Sequence, residues 1–266
     1  MQPPIQLVDR PAADALLHDG ATLLDARSLR QRGLRFLSGA ARVPWTATRT
    51  GGARSGLLPS PDALARVFEG AGVCWEHPVL VVGAGPAGWG EGARVAWSLA
   101  FLDHPKVSWH PLLGATPAGR GHRPATPRSW TGGVRPELRA PGGIEVPDGS
   151  VVVDVREAHE HQGAQRFGEA RGGHIPGARF LGLHDLWTPD GVVPPDRVRQ
   201  RARDAGIPLD APLVCVCTGG VRSAAAAVLL QHAGVGSSVR NHDGGMWAWS
   251  ADPSRPMARR PKNGSR

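Results

Sequence analysis

Cysteine is scarce in this chain. It has three, Cys74, Cys215 and Cys217, in 266 residues. An odd, small number argues against a disulfide framework. It also falls short of the four ligands of a structural zinc site unless histidines help. The pair His159 and His161 in AHEHQG is a weak metal signal and reads as a polar surface loop, so no metal and no cofactor are expected. Long apolar runs are lacking too: none approaches the roughly 20 residues needed to cross a membrane. The N-terminus, MQPPIQLVDRPAADALL, has no basic region followed by an apolar core. The expectation is a cytoplasmic protein without a membrane partner.

Lysine is rare beside arginine, and the net charge is +8. The arginines are scattered, many in 117–140 and in the tail MARRPKNGSR, with no aromatic-basic motif among them. They read as a solvated basic surface, so no nucleic-acid partner is expected. A milder consequence is a positive field that draws in small anions. At 41% hydrophobic the chain can bury a core. Its 36 glycines and 25 prolines fit many loops better than a helical bundle.

The sequence repeats itself. ATLLDARS (21–28) resembles SVVVDVRE (150–157), and SGAARVPW (38–45) resembles GGHIPGARFL (172–181). HPVLVVGAG (77–85) resembles APLVCVCTGG (211–220), and KVSWHPLLG (106–114) resembles SSVRNHDGG (237–245). Four matches in one order imply two copies of one unit of ordinary domain size. The expected division is 1–118, a Pro/Gly/Arg-rich linker over 119–146, and 147–266. The strands TLLDA, VLVV, VVVDV and LVCVC are apolar on both faces, as in a buried parallel sheet. Helices are expected at PDALARVFEGAG, GARVAWSLAFL, PPDRVRQRARDAG and SAAAAVLLQHAG, the last two stopping near Gly206 and Gly234. The fold class is α/β, a mostly parallel sheet with helices on both faces in each half.

VVGAGPAGWGEGA (81–93) holds a G-x-G-x-x-G string, a dinucleotide-binding signal. Three facts oppose it. It lies some eighty residues in, the following strand ends without the expected acid, and the repeat already explains it. It is the first copy's version of the loop after Cys217, with Gly83 or Ala84 where the second copy has the cysteine. Neither is a nucleophile, so the first half is expected to be catalytically inactive and to shape a cleft.

In VCVCTGGVRSAA (214–225), Cys217 ends a strand. Thr218, Gly219, Gly220, Val221 and Arg222 then lead to a helix expected from Ser223. Two glycines let successive N–H groups converge on an anion, the helix start adds its positive end, and Arg222 can add a charge. Such a cradle stabilises a thiolate, a persulfide or a bound oxyanion. Cys215, inside the strand, and Cys74 read as structural.

The second half resembles a rhodanese domain, and the whole chain resembles a tandem-domain rhodanese-like sulfurtransferase. The residues carrying this are VVVDVRE (151–157), QRFGE (165–169), GGHIPGARFL (172–181), CTGGVRS (217–223) and HDGGMWAWSADPSRPM (242–257). The resemblance implies two rhodanese-like domains and sulfur transfer through a persulfide on Cys217. The donor would be a small anion such as thiosulfate or 3-mercaptopyruvate, and the acceptor a thiol or cyanide. Arg166 resembles the arginine that meets the donor, and Arg156 lies where the family uses a basic residue. Asp154 reads as a hydrogen-bond anchor and His174 as a turn residue. Phosphatases of this fold have five residues between cysteine and arginine; here there are four, which favours sulfur over phosphate. The loop reads CTGGVR, closer to single-domain rhodaneses than to the tandem enzymes that use thiosulfate or mercaptopyruvate, so the donor stays open. A sulfur carrier with little turnover on free donors is the other reading, and a Cys-based phosphatase the third.

Overall fold

The computed structural model describes residues 3–32, 36–111, 120–122, 130–189 and 191–259. Residues 112–119 and 123–129 of the arginine-rich stretch, and the tail from 260, lie outside the described residues.

The first half runs β1 (Gln6–Leu7), α1 (Arg10–His18), β2 (Thr22–Asp25), α2 (Leu29–Arg32), β3 (Ala41–Arg42), α3 (Pro61–Gly70), β4 (Val79–Val82), α4 (Glu91–Phe101) and β5 (Val107–His110). The second runs β6 (Val151–Asp154), α5 (Ala158–Gln162), β7 (Arg179–Phe180), β8 (Trp187–Thr188), β9 (Gly191–Val192), α6 (Pro195–Asp204), β10 (Pro212–Val216), α7 (Arg222–His232), β11 (Ser238–His242) and α8 (Gly245–Ala251). Local chemistry starts the helices. Asp9 accepts the N–H of Ala12 ahead of α1, and Ser60 that of Ala63 ahead of α3. Gly206 and Gly234 take the left-handed conformation just past α6 and α7, the stops expected of them.

Two parallel sheets result, in the order β1-β5-β4-β2-β3 and β11-β10-β6-β7. Strand for strand, β5-β4-β2-β3 matches β11-β10-β6-β7, so the four sequence matches fall on four equivalent strands. The short β8–β9 pair is antiparallel. Central strands β2 and β4 are buried at every residue, which is why they read as continuous apolar runs. The repeated Asp-x-Arg has a common physical basis. Arg27 grips Asp25 at the end of β2 through Nε and Nη2, both at 2.9 Å. Arg156 grips Asp154 at the end of β6 at 2.9 and 2.7 Å.

The end of the expected linker touches the edge of the second sheet through an isolated bridge. Arg139 bridges Asn241 in parallel, and Ala140 N–H donates to the Asn241 carbonyl. This segment runs beside β11 as β1 runs beside β5. The two halves meet along α4 and α7. α7 is rich in alanine and almost wholly buried. A Cβ at Gly90, at the head of α4, would stand 2.7 Å from that of Ala225.

Candidate active site

Cys217 follows directly on β10, at the carboxyl end of the parallel sheet, where such folds place ligands. It is 1% exposed. It borders a cavity of about 160 Å³ that is also lined by Thr218, Gly219, Val221 and Arg222 of its own loop, by Phe167 and Trp247, and by Trp45 and Trp89 of the first half. Drug-sized ligands occupy roughly 300–1,000 Å³, so this cavity suits a smaller molecule. The first half, which has no equivalent of Cys217, supplies one wall.

The loop is held open by its surroundings. Gly220 has φ +77, and a Cβ there would lie 2.6 Å from both Arg94 Nη1 and the Asp243 carbonyl. Gly219 lies under the indole of Trp247, whose own Nε1 donates to the Phe167 carbonyl at 3.0 Å. Among the described residues, no group accepts from the backbone N–H of Thr218, Gly219, Gly220 or Val221. Thr218, Gly219 and Val221 among them line the cavity beside Cys217, and unpaired backbone N–H groups of this kind can bind an anion. The helix starts at Arg222, one residue before the expected Ser223. The Ser223 hydroxyl instead donates to Cys217 Sγ at 3.3 Å. Cys215 is the contrast: burial and the neighbouring Cys217 push its thiol far up, so it stays a thiol inside the strand.

Arg222 is the centre of a buried ionic group. Its guanidinium reaches Glu160 Oε2 at 2.6 Å and Oε1 at 2.8 Å, and the Thr218 hydroxyl at 3.0 Å. That hydroxyl lies 3.1 Å from Glu160 Oε1 and from Glu169 Oε1. Burial favours the neutral forms of both partners. Hydrogen bonding and charge between them outweigh it, holding the Glu160 carboxyl below and the Arg222 guanidinium above their ordinary values. Arg222 therefore does not face the thiol as a free charge, as the sequence suggested. Glu160 balances it.

Arg166 is exposed at the mouth. Its guanidinium lies 5.4 Å from the ring centre of Phe167 and 5.9 Å from that of Trp89. The guanidinium of Arg222 lies 5.1 Å from Trp89 and 5.6 Å from Phe167. These contacts fix an aromatic pair, edge to face at 5.5 Å, by cation–π attraction. Arg54 adds a second cation there, packed on Gly168.

Arg156 is placed otherwise. It is buried, bound to Asp154 and to the Gly173 carbonyl at 2.8 Å, and does not line the cavity. Gly220 likewise turns its carbonyl away, to Arg94 and Asn241. Asp154 is the anchor the sequence suggested. It receives the N–H and guanidinium of Arg156 and contacts His161 Nδ1 at 2.9 Å. His161 is accordingly no surface-loop residue. It lies on α5, its ring stacked on that of His174 at 3.8 Å. Among the described residues no cluster of His, Cys, Asp and Glu could hold a metal ion. His174 sits where the tail returns, exchanging backbone hydrogen bonds with Ala258.

The glycine string of the first half holds no phosphate cradle. Glu91 at the start of α4 accepts the N–H of Trp89 at 3.0 Å and the amide of Gln31 at 2.8 Å. A carboxylate thus occupies the helix start that would receive a phosphate.

Residues 143–252 match the family model of the rhodanese-like domain. Comparison with curated protein sequences returns no match. Among solved structures, the chain is similar to the Tum1 protein of Saccharomyces cerevisiae, at 18% identity and TM-score 0.78, over 97% of this chain and 99% of that one. It is similar to a 3-mercaptopyruvate sulfurtransferase from Leishmania major, at 20% identity and TM-score 0.73, over 93% and 74% of the two chains. It is also similar to SseA of Escherichia coli, described with the 3-mercaptopyruvate sulfotransferases, at 20% identity and TM-score 0.72, over 91% and 98%. Residues 143–252 therefore match a rhodanese-like domain, and the chain as a whole has the fold of a two-domain rhodanese.

Proposed function

We propose that this protein is a sulfurtransferase that carries sulfane sulfur on Cys217. The observation that carries the reading is the cradle. A cysteine at the end of a parallel strand heads a Gly-Gly loop whose backbone N–H groups have no partner among the described residues, beside a small cavity. That arrangement suits an anion on or next to sulfur. The rhodanese-like match over 143–252 supports the same chemistry.

In the proposed cycle the Cys217 thiolate attacks the outer sulfur of a small anionic donor. The new S–S bond forms as the donor's bond to that sulfur breaks, and the leaving group departs with the electron pair; from thiosulfate it is sulfite. The persulfide anion then lies against the loop N–H groups. A thiol or cyanide acceptor attacks the outer sulfur, and Cys217 leaves as thiolate, so the enzyme returns unchanged. Splitting the transfer this way replaces one hard step by two easier ones. The Ser223 hydroxyl solvates the thiolate, and Arg166 and Arg54 at the mouth meet the donor's charge. Thr218, Gly219, Val221 and Arg222 shape the anion seat. The half ending near residue 118 contributes a wall and no nucleophile. Arg156 is given the task of holding the end of β6 and not of binding the donor.

The test is turnover with thiosulfate and, separately, 3-mercaptopyruvate, for wild type and Cys217→Ser. Release of thiocyanate or sulfide by the wild type alone is the expected result. Persulfide formation without turnover on either donor would turn the reading to a sulfur carrier. Neither persulfide nor turnover would overturn it.

A further inference from the structure

Arg94 lies on α4, in the half that does not hold Cys217, and is wholly buried. Among the described residues it makes no ion pair. Its guanidinium is spent on backbone: the Gly56 carbonyl at 2.7 Å, the Thr48 carbonyl at 3.1 Å and the Gly220 carbonyl at 3.3 Å, with Nε 3.4 Å from the Thr48 hydroxyl. A cation buried without a carboxylate is costly. Burial accordingly lowers its affinity for the proton to about 10, against the pull of Asp243 and Cys217. A merely structural clamp would be cheaper with a neutral side chain.

The three carbonyls show what the arginine organises. Thr48 donates back to Trp45, a cavity wall, at 2.8 Å. A Cβ on Gly56 would fall 2.4 Å from the Gly219 carbonyl, so that segment lies directly on the cysteine loop. Gly220 belongs to the loop itself, and Asn241 secures the same carbonyl oxygen at 3.1 Å. In a trans peptide the C=O and the following N–H point in opposite directions. Pinning the Gly220 oxygen on the side of α4 and β11 therefore turns the Val221 N–H the other way. Val221 lines the cavity, and its N–H has no partner among the described residues.

We infer that Arg94 of the silent half is a positioning residue for the Cys217 loop, aiming the Val221 N–H at the reacting sulfur and adding a buried positive charge that favours anions there. This rests on the sulfur-transfer reading for its purpose, though its test needs no sulfur donor.

The experiment compares alkylation of Cys217 by iodoacetate and by iodoacetamide in the full chain, located by peptide mass spectrometry. Loosening of the loop changes both rates together, whereas loss of the local field changes their ratio. In Arg94→Gln, which keeps an amide donor and loses the charge, the iodoacetate-to-iodoacetamide ratio is expected to fall roughly three- to tenfold. In Arg94→Lys it is expected to stay within about twofold of wild type. An unchanged ratio in folded Arg94→Gln would overturn the inference. Should Arg94→Gln not fold, Arg94→Met, which also removes the charge, decides: a fall of threefold or more in the ratio supports the inference, and a ratio within about twofold of wild type overturns it. A wild type that forms no persulfide, yet shows the Arg94-dependent ratio, overturns the sulfur-transfer reading and leaves the charge of Arg94 as a feature of the anion seat.

Discussion

Glu160→Gln is the most informative single perturbation of the buried ionic group. Glu160 is fully buried, and both its oxygens bind the guanidinium of Arg222, itself nearly inaccessible. Glu160 also closes a reciprocal cap at the start of α5, accepting the Glu157 N–H at 3.1 Å. Glutamine keeps the shape but sets an NH₂ against a guanidinium N–H and leaves Arg222 as an unpaired buried charge. Breaking such a pair from one side costs roughly 3–5 kcal/mol. At about 2–4 °C per kcal/mol for a chain of this size, the melting point should fall by roughly 6–20 °C. Thermal unfolding followed by tryptophan fluorescence and circular dichroism measures it, and because the two halves can melt separately, both probes are needed. The double variant Glu160→Gln/Arg222→Met removes the stranded charge. It should recover at least half of the loss, since apolar replacements of buried pairs are often near neutral. A single variant that loses less than about 1 kcal/mol, or a double variant no better than the single, would refute the argument that Arg222 depends on Glu160 for its counter-charge.

Three further outcomes follow from the same geometry. Gly220→Ala forces a side chain into a left-handed backbone and onto Arg94 and Asp243, so it should cost at least about 2 kcal/mol and abolish turnover; unfolding and activity assays check it. Trp89→Ala removes the aromatic wall that Arg166 and Arg222 flank, and should raise KM for the donor more than it lowers kcat, as steady-state kinetics would show. Acid should destabilise the protein before its carboxylates protonate. Burial pushes His104 and His242 down to about 4 from an ordinary 6.5. Each accepts a backbone N–H at Nδ1, from Lys106 and Gly245 respectively, and uses Nε2 on a carbonyl, so the folded state holds them neutral. Between pH 6.5 and 4 the unfolded chain takes up protons that the folded one refuses, so stability falls with pH in that window. Urea midpoints measured across it should decline, and a flat profile would contradict the two neutral histidines.

Much of this fold was legible because its signals are local. Buried parallel strands are apolar at every position, so TLLDA, VLVV, VVVDV and LVCVC announced themselves, and the Asp-x-Arg pairs marked the strand ends. The cysteine loop could be read from its glycines, whose conformational freedom the structure uses at Gly220. What escaped was the partnership between distant segments. No local pattern says that Arg222 is balanced by a carboxylate 62 positions away, or that Arg94 crosses 126 positions to the Gly220 carbonyl. α5 did have a signal: Glu157 and Glu160 have the spacing of a reciprocal cap. Reading AHEHQG as a loop passed over it, and with it the burial of His161 against Asp154. Arg156 was misleading for a related reason, since an arginine beside an aspartate pairs with it once both are buried.

The central claim is that Cys217 carries the sulfur, and intact-protein mass spectrometry addresses it most directly. Wild type, Cys217→Ser and Cys215→Ser would each be incubated with thiosulfate and with 3-mercaptopyruvate, without acceptor. The account predicts one added sulfur on wild type and on Cys215→Ser with at least one donor, none on Cys217→Ser, and its loss on adding cyanide. An added sulfur that persists in Cys217→Ser, or none on wild type with either donor, would contradict it.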